Sequence, residues 1–180
     1  MQLKKLGALE FTPAAEYPEL LAEPVMKSTR TVSRPERIGG AEIDPQYSDT
    51  TGFCSHYQVK PEQVANCVVI EAKRAGRQWL AACVILGNTR VDVNNTARRF
   101  LKARKASFAP MDKAVSETGM EYGAITPFGL PAYMPLLIDL AVANSEYVIV
   151  GSGIRKSKLV AQGSVLANLP NAQVLENLGQ

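Results

Sequence analysis

Two short glycine-bearing stretches carry the chemistry that residue type and spacing allow. In Gly123-Ala124-Ile125-Thr126-Pro127 the glycine lets backbone approach a ligand closely and the proline fixes the turn, so the amides between them can point into a cleft. Gly151-Ser152-Gly153 follows the apolar run Tyr147 to Val150 and can present backbone amides to an anion. It lacks the Lys-Ser/Thr ending of a nucleoside-triphosphate loop and the third glycine of a dinucleotide fingerprint, and the same residues also suit a strand-ending turn.

Nucleophilic and metal chemistry find less support. The one histidine, His56, lies two residues from Cys54 with no second cluster at ligand spacing, so no metal site is expected and His56 reads as a packing or surface residue. The three cysteines, Cys54, Cys67 and Cys83, show no CxxC spacing, and two lie in apolar runs where a reduced thiol packs as a small hydrophobe. Positive charge gathers in two segments, Arg98-Arg99-Lys102-Arg104-Lys105 and Arg155-Lys156-Lys158. They could flank one groove and neutralise a few phosphates, or form solvated faces.

The elements that must position these residues follow from periodicity. Pro61 suits the first position of a short helix, Pro61-Glu62-Gln63-Val64. Cys67 to Ala72 and Trp79 to Leu86 are apolar runs of strand length joined by Arg74-Ala75-Gly76-Arg77, a hairpin buried on at least one face. Asp92 can cap a helical stretch over 95–101. Lys105 to Ala109 reads as a strand and 110–115 as a helix stopped by Gly119. Strands are expected to dominate again from Gly123 to Pro127, then, after a Gly/Pro-broken loop to Pro135, at Leu136 to Asp139, Tyr147 to Val150 and Lys158 to Ala161, before a short helix near Val165. Irregularly mixed strands and helices indicate an α+β (mixed α/β) class, not a doubly wound sheet.

Composition bounds the rest. A chain of 180 residues, 46% hydrophobic and 21% charged, fits one globular unit that needs no metal or disulfide staple. Residues 1 to 50, with five prolines among scattered polar residues, read as a partly ordered N-terminal extension to a domain spanning 51–180. The net charge of +3 falls short of a sequence-independent DNA coater, so DNA is not expected as a partner. No run of about 18 apolar residues and no signal-peptide pattern occur, which points to a protein of the cytoplasm away from membranes.

In order along the chain, the Pro61 entry, the hairpin, Lys105-Ala106-Ser107, the Gly-x-x-x-Pro loop at 123–127, Ile138-Asp139 and Val150-Gly151-Ser152-Gly153 resemble the YbaK/ProX family of aminoacyl-tRNA deacylases. That domain occurs free-standing and inserted in bacterial prolyl-tRNA synthetases. The resemblance runs from about Pro61 to Leu178. It implies a compact fold around a mixed, barrel-like sheet, no cofactor, and a pocket for the aminoacyl-adenosine end of a tRNA, with a synthetase as a further partner. It assigns Gly123 and Thr126 to catalysis, and Ala124, Ile125, Pro127, Asp139, Gly151, Ser152 and Gly153 to substrate binding. Arg98, Arg99, Lys102, Arg155 and Lys156 would meet the tRNA. Family members commonly carry a lysine just after the Gln-Val-x entry; here that position is Asn66, which supplies no charge, and Lys105 is the candidate replacement.

Two functions follow from this resemblance. One is trans-editing hydrolysis of a mischarged tRNA bearing a small amino acid, worked by placed water and backbone amides without a dedicated nucleophile. The other is a non-catalytic module that binds tRNA or an aminoacyl ligand, favoured by Asn66.

Overall fold

In the computed structural model, residues 5–180 are described. The chain opens with the short strands β1 (Lys5–Leu6), β2 (Leu9–Glu10) and β3 (Thr12–Pro13), helix α1 (Glu23–Thr31), strand β4 (Gly39–Glu42) and helix α2 (Thr50–Tyr57). A 3-10 turn at Pro61–Gln63 leads into β5 (Ala65–Arg74) and β6 (Arg77–Leu86). Ala75 and Gly76 between them both take positive φ, 49° and 78°, the two-residue turn whose twist matches a hairpin. A π-helical turn Val93–Ala97 and the single turn α3 (Arg98–Phe100) precede β7 (Lys105–Phe108) and α4 (Met111–Thr118). The chain closes with β8 (Leu136–Asp139), α5 (Leu140–Ala143), β9 (Val148–Gly151), β10 (Ser157–Ala161), α6 (Gly163–Ala167) and β11 (Ala172–Leu175).

Local chemistry sets several of these boundaries. Asp92 accepts from the backbone N–H of Asn95 and Thr96 at 3.2 and 3.0 Å, so the expected cap is present. Gly119 ends α4 in the left-handed conformation, φ 66°. Gly123 to Pro127, expected to return to strand, is instead turn and coil, and the loop expected from there to Pro135 is present. The glycines Gly123 and Gly129 sit at φ 81° and 78°, and Pro127, Pro131 and Pro135 remove ladder donors.

Besides the short β1-β2 pair, the strands form an open five-stranded sheet, order β11-β8-β6-β5-β7, and a four-stranded sheet, order β3-β4-β10-β9. The class is α+β, as the sequence pattern indicates. The barrel-like closure implied by resemblance is corrected: β11 and β7 end the larger sheet as free edges, and one parallel bridge, Val64 to Ile149, links it to the smaller. Both sheets are covered on two faces, which is why their strands read as nearly unbroken apolar runs. Val84, Ile138, Val150 and Leu159 face a shared core with Val25 and Phe128. Alternate residues Cys83, Ile85 and Leu137 meet Ala97 and Leu178 on the outer side of the larger sheet. Ile149 and Val160 meet Phe53 and Leu6 outside the smaller one. Residues 5–50 contribute to this packing: β4 pairs with β10 over four residues, and Val25 and Ile38 are fully buried.

Candidate functional site

The site lies where the two sheets part. One edge of β5 pairs with β6 along all ten residues. On the other edge β7 covers only Ile70 to Lys73, and Ile149 of β9 reaches only Val64. Between these contacts no described strand pairs with β5, and Val64 to Val69 line a cavity of about 450 Å³. That is the size range of small-molecule sites. Phe108, Ala109, Met111 and Ala114 close one side, the Tyr122-Gly123 turn and Ile125 a second, and Val150, Gly151 and Lys158 a third. The start of α2, Ser48 to Thr50, closes the remainder.

One end of this cavity is polar. Asn66 accepts a hydrogen bond from the Thr50 hydroxyl at 2.7 Å, which fixes its carboxamide oxygen against α2 and leaves the amide nitrogen as donor. Asp49 caps α2 by accepting from the Gly52 N–H at 3.0 Å. Lys158 is only 8% exposed, and its ammonium donates to the Ser48 carbonyl at 2.8 Å while lying 5.2 Å from the centre of the Phe53 ring. Burial pulls its pKa from the ordinary 10.5 to about 8, against the opposing pull of Asp49 and Cys54 and with a smaller push from Arg155. The other end is apolar, with Val69, Ala109, Ala114 and Ile125.

Thiol chemistry has no support here. Cys67 lines the cavity, but burial holds its thiol far above the usual range, and Cys83 behind it is pushed up to about 12. Both stay protonated and are poor nucleophiles. His56 stacks on Tyr47 at 3.9 Å between ring centres, the packing role its isolation suggests. Among the described residues, no group of three or more His, Cys, Asp or Glu could hold a metal ion.

The residues singled out from sequence distribute unevenly. Asn66, Gly123, Ile125 and Gly151 line the cavity. Ala124 stands just behind it: its carbonyl accepts from the Gly153 N–H at 2.9 Å, and a Cβ on Gly151 would fall 2.4 Å from the same oxygen. The two glycine stretches are thus held face to face. Ser152 is fully buried and spends its hydroxyl on the carbonyls of Ile154 and Ser157 at 2.9 and 3.0 Å. Thr126 is fully buried, and its hydroxyl has no hydrogen-bond partner among the described residues. Pro127 borders a separate depression beside α1. Asp139 serves the chain end, accepting from the N–H groups of Leu178 and Gly179 at 2.9 and 3.0 Å.

The basic residues lie outside the cavity. Lys105 pairs in register with Lys73, seven residues along β5 from Asn66, roughly 23 Å on an extended strand. It shares a shallow depression with Arg98 and Arg104. Lys102 lies in another depression with Arg74, whose guanidinium donates to the Lys102 carbonyl at 2.8 Å, and Arg99 lies on α3. Arg155 and Lys156 border a third, where the Arg155 side chain donates to the Ser48 hydroxyl at 2.9 Å. Among the described residues, the cation that does enter the cavity is Lys158, which the sequence groups with Arg155 and Lys156. The signal that could have separated it is alternation: with Leu159 and Ala161 in the shared core, residues 158 and 160 must face the other buried side.

The fold is thus a mixed sheet with a half-polar cavity of small-molecule size along a strand edge. The chain belongs to the aminoacyl-tRNA editing domain family, which it matches over residues 44–169. It is similar in fold to a proposed trans-editing enzyme for prolyl tRNA synthetase, with TM-score 0.74 and 18% identity over 88% of this chain and 96% of that one. A scaffold protein from computational epitope grafting matches equally, with TM-score 0.74 and 18% identity over 88% and 97%. The hypothetical protein APE2540 follows, with TM-score 0.65 and 19% identity over 74% and 85%. A search of curated protein sequences finds no match. No helix among the described residues is long and apolar enough to cross a membrane.

Proposed function

We propose that this protein is a trans-editing deacylase that hydrolyses the ester of a tRNA mischarged with a small amino acid. The observation that carries the reading is the convergence of Asn66, Thr50 and Lys158 with the Gly123 turn and Gly151 around one cavity in a chain of the editing family. The polar end suits an ester and ribose hydroxyls, and the apolar end, walled by Val69, Ala109, Ala114 and Ile125, suits a short side chain. An aminoacyl ester is already labile, so placed water and fixed donors suffice without a nucleophilic side chain.

Phe108, Met111 and Tyr122 stand at the mouth, 64%, 54% and 61% exposed, and give unpaired terminal bases an aromatic platform. On β7, Phe108 and Lys105 are three residues apart and so project from opposite faces of the strand, and Lys105, Arg98 and Arg104 would meet phosphates beyond that platform. Arg99, Lys102, Arg155 and Lys156 would add phosphate contacts farther along the tRNA. Such an enzyme would act in the cytoplasm beside the synthetase whose errors it clears.

The test is incubation of the protein with tRNAs charged with alanine, serine, threonine, cysteine and proline, measuring ester lost over a protein-free control. Selective loss of one or two supports the reading; no loss from any refutes it. A binding module without hydrolysis is the second reading, favoured by the absence of charge at Asn66. Asn66→Lys separates the two: a large gain of hydrolysis from a silent wild type supports the module, whereas an already active wild type rules it out.

A further inference from the structure

We infer that Lys158 is the catalytic cation of this cavity, its ammonium donating a hydrogen bond to the ester carbonyl oxygen as negative charge develops there; this rests on the deacylase reading above.

Three observations carry the assignment. The first is position. Lys158 lines the cavity from β10 and shares a strand face with Val160, whose surroundings are Phe53, Val64 and Ile149. A hydrophobic side chain would pack there at no electrostatic cost. The second is unspent capacity. The ammonium forms no ion pair with any described carboxylate, and its recorded hydrogen bond goes to the Ser48 carbonyl, so two of its three N–H donors remain for a ligand. The third is company: the amide of Asn66 borders the same cavity, its oxygen already committed to Thr50. A buried cation at the polar end of a cavity, beside an oriented amide, is built to meet developing negative charge.

The chemistry balances without a co-reactant. Water adds to the ester carbonyl carbon and forms the new C–O bond. The bond from that carbon to the ribose oxygen breaks, and the water proton ends on that oxygen, releasing the amino acid and a ribose hydroxyl. Lys158 keeps its proton throughout. It must be charged to act, so the enzyme should lose this contribution as pH rises through about 8. The groups that set this value are Asp49 and Cys54 from α2 and its approach, and Arg155 from the β9–β10 turn. The neighbouring strands present Ala41 and Gly151 opposite Lys158 and add no charge.

The experiment compares wild type, Lys158→Met, Lys158→Arg and, as a control on exposed α1, Lys27→Met. It uses whichever charged tRNA the wild type deacylates, with melting temperatures recorded for each variant. Lys158→Met should lower kcat by about 100-fold or more with little change in KM, the loss seen when one oxyanion donor is removed. Lys158→Arg should recover part of it and move the alkaline fall in rate to higher pH. In parallel, 3′-alanylamino-3′-deoxyadenosine should protect Lys158 of the wild type from acetic anhydride, read by peptide mass spectrometry, which depends on no variant folding. An active wild type with Lys158→Met equally active, or with Lys158 unprotected by the analogue, overturns this assignment alone. A wild type that deacylates nothing overturns the deacylase reading and this assignment with it.

Discussion

Replacing Lys158 with Met should make the protein more stable while removing activity, because the cation is held against its own solvation preference. An ordinary lysine titrates near 10.5, and this one near 8. At about 1.36 kcal/mol per pKa unit, the folded state loses on the order of 3 kcal/mol by keeping the group charged at neutral pH. Methionine fills nearly the same volume without a charge. Against the gain stands the Ser48 carbonyl, which loses its donor at a cost of about 1 kcal/mol. The net is about 2 kcal/mol, or roughly 4–8 °C in Tm for a chain of this length. The sign with pH is specific. The folded pKa is depressed, so between about 8 and 10.5 the unfolded chain binds a proton that the folded protein does not, and wild-type stability from this group rises with pH. The advantage of Lys158→Met should therefore be full at pH 7 and shrink as pH approaches 10. Differential scanning calorimetry of the two proteins from pH 6 to 10 measures it. A variant less stable than wild type at pH 7, by an amount independent of pH, refutes the reasoning.

Other outcomes follow from the same geometry. Phe108→Ala should weaken binding of the tRNA acceptor end by about 5- to 100-fold, the range of one base–aromatic stack, with Tm unchanged because the ring is 64% exposed; filter binding checks it. Gly151→Ala places a methyl 2.4 Å from the Ala124 carbonyl and should cost about 2–3 kcal/mol in urea unfolding while reducing activity. Gly123→Ala meets no atom within 4 Å but must hold φ 81°, and should cost only about 1–2 kcal/mol. Asp139→Ala strands the N–H groups of Leu178 and Gly179 and should lower Tm by roughly 5–10 °C, read by thermal melting, because two charge-assisted hydrogen bonds at the chain end are lost.

What could be read from the sequence was the part governed by local physics. The hairpin of β5 and β6, the Asp92 cap and the Gly119 stop depend on residues a few positions apart, and all are present. The glycine stretches were legible as close-approach elements, but not what they approach. Gly151 is glycine because the Ala124 carbonyl occupies the space of its Cβ, a contact between segments 27 residues apart. Ser152 and Asp139 illustrate the opposite limit. Polar residues in or beside a motif suggest a ligand, yet Ser152 is consumed by carbonyls of its own turn and Asp139 by the chain terminus. Only the tertiary structure names those partners.

The position of positive charge shows the same limit most sharply. Composition places Lys105 in the densest basic cluster and groups Lys158 with Arg155 and Lys156 in a second, smaller one. Strand register reverses their standing. Lys105 sits opposite Lys73, at the far end of β5 from Asn66, whereas Lys158 is set opposite Gly151 on the strand that walls the cavity. Phe53 and Ser48 receive the ammonium from α2 and its approach. A charged residue between buried Ser157 and Leu159, on a strand whose five residues are all buried, breaks the apolar pattern that its neighbours keep. Such a break persists only where something offsets its cost. Here no carboxylate among the described residues is paired to it, so the compensation is sought in the ligand that the cavity admits.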